Sequence, residues 1–159
     1  MMHKCVLLDT SFFIRLLDKT EKLHPNTKGY YKYFLEHDIE MAISTISIAE
    51  FCVGGDVHEL PLKNLQIVPF NLDHAKRTGE FAKIALQNRK NLNMKERNII
   101  PNDTKLFAQA DTEKTVEFYL SSDTESFKIY KLLQQHTPPK FQFIDLNVPY
   151  SQTFGILEL

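Results

Sequence analysis

Lys4-Cys5-Val6-Leu7-Leu8-Asp9-Thr10-Ser11-Phe12-Phe13 decides how the rest of the chain reads. The Val- and Leu-rich run predicts a buried strand over 4–8. Ser11 is placed to cap a helix over 12–17, with Phe, Ile and Leu on one side. A carboxylate, Asp9, stands at the junction. The same alternation recurs downstream. A helix is expected over 28–36 (Tyr30, Tyr33 and Phe34 at helical spacing) and a strand over 40–43. Ser44 or Thr45 then caps a helix over 46–53 that Gly54-Gly55 ends. Residues 66–70 read as an edge strand, because Pro69 cannot donate to a ladder.

Asn71 or Asp73 opens the longest helix, to about residue 89. Leu72, Ala75, Gly79, Ala82 and Leu86 form its apolar or small stripe. Residues 90–98 read as a polar loop, and Asn102 as the cap of a helix ending near Asp111. A strand over 116–120, a helix over 125–135 and a strand over 141–146 complete the pattern. Strands alternating with helices imply parallel pairing with helices on both faces, an α/β class and an α/β/α sandwich around a mostly parallel sheet. Ligands of such folds sit at the carboxyl ends of the strands.

Composition narrows the function classes. A chain of 159 residues, 43% hydrophobic and 25% charged, suits one domain with a real core. Apolar runs are too short for a membrane span or a secretory signal, so a soluble, cytoplasmic protein with no membrane partner is expected. The net charge of −1 argues against a simple electrostatic coat for nucleic acid. Setting four acids aside as metal ligands would tip the remainder basic, so a nucleic-acid substrate stays open. Cys5 and Cys52 read as small buried hydrophobes in a reducing compartment. The six histidines show no zinc-ligand spacing.

Four acids fall where the crevice should be. Asp9 and Asp123 follow two strands. Asp103 is expected in the first turn of its helix, where the helix dipole favours an anion. Glu50 lies among Ile46, Ile48, Ala49, Phe51 and Val53, and needs a partner if buried. Each acid also has a structural reading: Asp9 as a turn or cap, Asp103 as a first-turn acid, Asp123 as a helix cap. Gathered carboxylates repel unless cations neutralise them, and Mg²⁺ or Mn²⁺ prefers such oxygen donors. Ions so held can clamp a phosphodiester and activate water, which suits hydrolysis of a nucleic-acid backbone. Asp111, two turns further along its helix, reads as a solvated helix-end charge. Arg15, Lys19 and Lys105 read as phosphate contacts or simply as a solvated face.

The chain resembles the PIN-domain nucleases, especially the compact toxin ribonucleases of VapC type. The resemblance rests on Leu8-Asp9-Thr10-Ser11 before an apolar helix, Ala49-Glu50 followed by Gly54, Ile100-Pro101-Asn102-Asp103, and Ser121-Ser122-Asp123 with Phe127. It covers nearly the whole chain in order and implies a single PIN-like domain over 1–159. The family's acidic metal-site positions fall on Asp9, Glu50, Asp103 and Asp123, which the resemblance makes both catalytic and Mg²⁺- or Mn²⁺-binding. Ser121 matches its site-orienting hydroxyl, and Thr10 and Arg15 stand as supporting or substrate-contacting residues. The implied function is a metal-dependent endoribonuclease acting on single-stranded RNA, paired with an antitoxin protein and forming a homodimer. The alternative is a PIN-like RNA-binding or assembly module that no longer cuts. Lys105 and Gln109 interrupt an apolar run that is smoother in the family. Ser122 replaces a more usual basic or amide residue, and the polar stretch over 89–98 is longer.

Overall fold

A computed structural model describes residues 3–88 and 99–155. Its centre is a five-stranded, all-parallel sheet: β1 (Cys5–Leu8), β2 (Glu40–Ser44), β3 (Leu65–Val68), β4 (Val116–Ser121) and β5 (Gln142–Asp145), in the order β3-β2-β1-β4-β5. The expected alternation and parallel pairing are both present. The helices are α1 (Thr10–Leu17), α2 (His24–Glu36), α3 (Thr45–Phe51), α4 (Leu72–Gln87), α5 (Ile99–Thr112), α6 (Thr124–His136) and a short α7 (Tyr150–Thr153).

Strand alternation sorts the sheet's side chains into two cores. Cys5, Leu7, Ala42 and Tyr119 pack with Phe81 and Ala85 of α4, Phe107 of α5 and Ile129 and Leu133 of α6. Val6, Leu8, Ile43 and Leu120 pack on the other face with Phe12 and Phe13 of α1 and Tyr30 and Phe34 of α2. The result is the expected α/β/α sandwich. The chain winds outward from β1 in one direction and returns to β4 on its other side. The crevice at the carboxyl ends of β1 and β4 is therefore the switch point of the fold.

Several boundaries differ from expectation. The cap of α1 is Asp9, which accepts from the Thr10 backbone N–H, and not Ser11. α2 begins at His24, four residues early; its N-terminal signal is Pro25, without a side-chain cap. α5 starts at Ile99, so Asn102 lies inside it and Asp103 beyond its first turn. Two 3₁₀ turns, Val57–Glu59 and Leu62–Asn64, and α7 have no counterpart in the sequence reading. The expected loop over 90–98 lies outside the described residues. Among those described, no helix is long and apolar enough to cross a membrane.

Candidate active site

Asp9 is fixed by its own turn. Leaving β1, the chain enters α1 at once, and the Asp9 carboxylate accepts from Thr10 N at 2.7 Å, Ser11 Oγ at 3.0 Å and Ser121 Oγ at 2.8 Å. Ser121, the last residue of β4, also accepts from the Asp123 N–H at 3.0 Å. Asp123 in turn caps α6 by accepting from Glu125 N at 2.9 Å. One hydroxyl thus ties the two strand-end acids together. Ser11 adds a second tie, accepting from Ser122 N at 3.4 Å.

The other two acids arrive on helices. Asp103 projects from α5 and is only 8% exposed; its Oδ2 is buried without a hydrogen-bond partner among the described residues. Burial, then the charge of Asp123, pushes its pKa up to about 8, with smaller contributions from Asp9 and Glu50 and a partial offset from nearby Ser126. Burial likewise raises Asp9, against the lowering effect of its Ser121, Ser11 and Thr10 hydrogen bonds. Glu50 on α3 is exposed. The apolar surroundings read from its neighbours therefore impose no buried charge. Its pKa still rises through partial desolvation and the charge of Asp9, which the nearby Thr10 hydroxyl only partly offsets.

Asp9, Glu50, Asp103 and Asp123 all line one cavity of about 450 Å³, together with Thr10, Ser11, Ile14, Asn102 and Leu106. Four sequence-distant acids meet at the switch point. Among the described residues, no three His, Cys, Asp or Glu side chains converge tightly enough to chelate one ion as they stand.

No protein-family profile and no curated sequence matches the chain. Solved structures do match. A chain of VapBC2 from Rickettsia felis, crystallised with a fragment of its promoter DNA, superposes with a TM-score of 0.59 at 17% identity, covering 89% of this chain and 98% of that one. FitAcB from Neisseria gonorrhoeae gives 0.63 at 16% identity, over 89% and 97%. DNA-bound VapBC from Salmonella typhimurium gives 0.58 at 17% identity, over 91% and 99%. The fold is PIN-like. At these identities the likeness speaks for architecture alone.

Within this PIN-like frame not every expected neighbour of the site is at the cavity. Thr10 is, and so is Ser121 through Asp9. Arg15 is not among the cavity's lining residues; its guanidinium lies 3.8 Å from Glu21. Asp111 is not a solvated charge: it is largely buried, accepts from Arg77 Nε at 2.8 Å and receives the Lys140 N–H. Gln109, read as an interruption, is fully buried and donates to the Val68 carbonyl at 3.2 Å, tying α5 to the end of β3. Sequence reasoning missed Ser11 as a partner of Asp9, because Ser beside a helix start reads as its cap. It also missed Tyr119, fully buried on β4, whose phenol feels all four acids. An aromatic inside a strand carries no local signal of such a position.

Proposed function

We propose that the protein is a metal-dependent endoribonuclease that hydrolyses phosphodiester bonds of single-stranded RNA, and that it acts as the toxin of a toxin–antitoxin pair. The observation that carries this reading is the meeting of Asp9, Glu50, Asp103 and Asp123 in one cavity at the switch point. The donors fit a hard divalent ion in kind: all are carboxylate oxygens, and Asp103 Oδ2 is buried with its acceptor capacity unused by the described residues. A Mg²⁺ or Mn²⁺ ion held by these four residues supplies charge neutralisation, a clamp on the scissile phosphate and an activated water.

The chain's own residues do the rest. Three donors hold the Asp9 carboxylate in one orientation, and Ser121 couples that orientation to Asp123. Asp103 presents a carboxyl whose ionisation is suppressed by burial and by its neighbours, so opposite charge in the cavity favours its acceptor form. Ile14 and Leu106 add apolar lining, and Glu50 lines the cavity from α3. No histidine is among the lining residues, so a cyclic-phosphate route lacks its usual base. The products should carry a 5′-phosphate and a 3′-OH.

The test is single-stranded RNA incubated with Mg²⁺, with Mn²⁺ and with EDTA, followed by identification of the ends. Cutting in EDTA, or a 2′,3′-cyclic phosphate, overturns the mechanism. The toxin role draws on the VapBC names of the structural neighbours. A partner's basic side chain would be steered into the acidic cavity by its field. Co-expression with whatever small reading frame adjoins the gene should yield a stable complex in which cleavage is blocked; no such frame, no complex, or an active complex removes the toxin role.

A further inference from the structure

The core beneath the cavity contains a hydroxyl with no structural use. Tyr119 is fully buried among Phe107, Phe141 and Phe143, with ring centroids 5.1, 6.0 and 5.5 Å away. Phenylalanine would satisfy that packing. Two other tyrosines of the cores bond their hydroxyls inside the protein: Tyr30 to the Val148 carbonyl and Thr153, Tyr130 to the Phe141 carbonyl. The Tyr119 hydroxyl has no hydrogen-bond partner among the described residues. A buried, unpaired donor is costly, so its position calls for an acceptor.

The placement of Tyr119 says which acceptor. It shares a strand face with Ser121, two residues on, whose hydroxyl holds Asp9. Its ring packs on Phe107, one turn beyond Asp103 on α5. Asp9, Asp103, Glu50 and Asp123 all act electrostatically on its phenol. Asp103 Oδ2 also lacks a partner among the described residues, and the Ser126 hydroxyl lies close enough to Asp103 to favour its carboxylate. One donor, one acceptor and one hydroxyl are the partners that a single buried water collects.

We infer that Tyr119 is a positioning residue of the acidic cavity: its hydroxyl donates, through a water shared with Ser126, to the Asp103 carboxylate and fixes it for a divalent ion. The inference rests on the metal-site reading above. Outer partners of this kind orient the ligand and shape affinity without touching the ion.

The experiment measures Mn²⁺ binding by electron paramagnetic resonance of free Mn²⁺, on the full chain, for the wild type, Tyr119→Phe and Tyr130→Phe. Tyr130→Phe removes a hydroxyl from the same aromatic cluster but away from the cavity. Tyr119→Phe should lower Mn²⁺ affinity by on the order of tenfold, while Tyr130→Phe leaves it unchanged. The chain has no Trp, so tyrosine dominates its near-ultraviolet absorption. Mg²⁺ should give a tyrosine difference spectrum in the wild type that Tyr119→Phe abolishes. Equal affinity of Tyr119→Phe and the wild type overturns the inference and leaves the metal site standing. An equal loss in Tyr130→Phe also overturns it, as an effect of packing. A wild type that binds no Mn²⁺ overturns the metal site itself, and the inference with it.

Discussion

Asp9 shows how one side chain serves both fold and chemistry. As the cap of α1 it satisfies a free backbone N–H, and as a cavity acid it carries charge. The two roles separate under substitution. Asn caps a helix as well as Asp does, so Asp9→Asn keeps the turn. It also removes a carboxylate that burial disfavours, so the metal-free melting temperature should stay level or rise. RNA cleavage should fall by more than about a hundredfold, since even outer partners of metal ligands are worth 10–100-fold. A thermal melt and a cleavage assay on the same preparation decide it; an active variant means Asp9 is only a cap. Ser121→Ala makes the opposite comparison. It leaves every carboxylate in place but frees Asp9 from Asp123, so activity should drop about 10–100-fold for a stability loss near 1 kcal/mol. Asp9 and Asp123 were legible in the sequence because a carboxylate at a strand end is conspicuous, and Glu50 and Asp103, both on helices, were tied to the site most firmly by the family resemblance. Tyr119 and Ser11 were not, because an aromatic inside a strand gives no local sign of what its hydroxyl meets, and Ser11 reads as the cap that Asp9 in fact provides.

At the scale of elements, the strands were legible and the inward faces of helices were less so. β1 is a fully apolar run and β2 is apolar from Met41 to Ile43, and burial on both faces leaves nothing to choose. α4 is different. The stripe Leu72, Ala75, Gly79, Ala82 and Leu86 does not face the core: Leu72 is 75% exposed and Leu86 43%. The buried residues are His74, Phe81 and Ala85. Phe81 sets the face by size, and His74 can lie inside because Nδ1 accepts from Asn71 N and Nε2 meets Glu113 at 2.8 Å. Counting small residues as apolar rotated the helix. The carboxyl-terminal element was invisible for another reason. α7 is four residues long and is held by long-range contacts: Tyr150 and Phe154 pack on Tyr30 and Tyr33 of α2, and Thr153 bonds the Tyr30 hydroxyl. That packing depends on Gly29, where a Cβ would lie 2.8 Å from Tyr150 Cδ1. Gly29→Ala adds helix propensity worth up to about 1 kcal/mol, yet overpacking costs about 1–3 kcal/mol. A net loss is therefore expected in urea unfolding, with faster proteolysis around Tyr150. A more stable variant would mean that α7 yields without cost.

For the whole molecule, the sheet order places the acids where they weaken the fold that presents them. β1 and β4 diverge at the switch point, their ends deliver Asp9 and Asp123, and α3 and α5 bring Glu50 and Asp103 to the same cavity. Burial first, and the neighbouring acids after it, push Asp103 up to about 8 and also raise Asp9 and Glu50. In the unfolded chain these groups release their protons near pH 4. Between there and pH 8 the metal-free folded state holds protons that the unfolded state has lost, so stability falls as pH rises. One such carboxyl contributes up to about 1.4 kcal/mol per pH unit over that window. Asp103→Asn is the needed comparison: it removes the most clearly shifted acid and leaves every other titratable side chain in place. Urea unfolding in EDTA at pH 5, 6, 7 and 8 should show the wild type losing stability toward pH 8 and Asp103→Asn losing much less. Mg²⁺ binds the ionised form, so adding it should flatten the wild-type profile and leave the variant's nearly unchanged. Parallel profiles for the two proteins in EDTA would mean that Asp103 ionises freely in the fold, and that the cavity stores no repulsion for an ion to relieve.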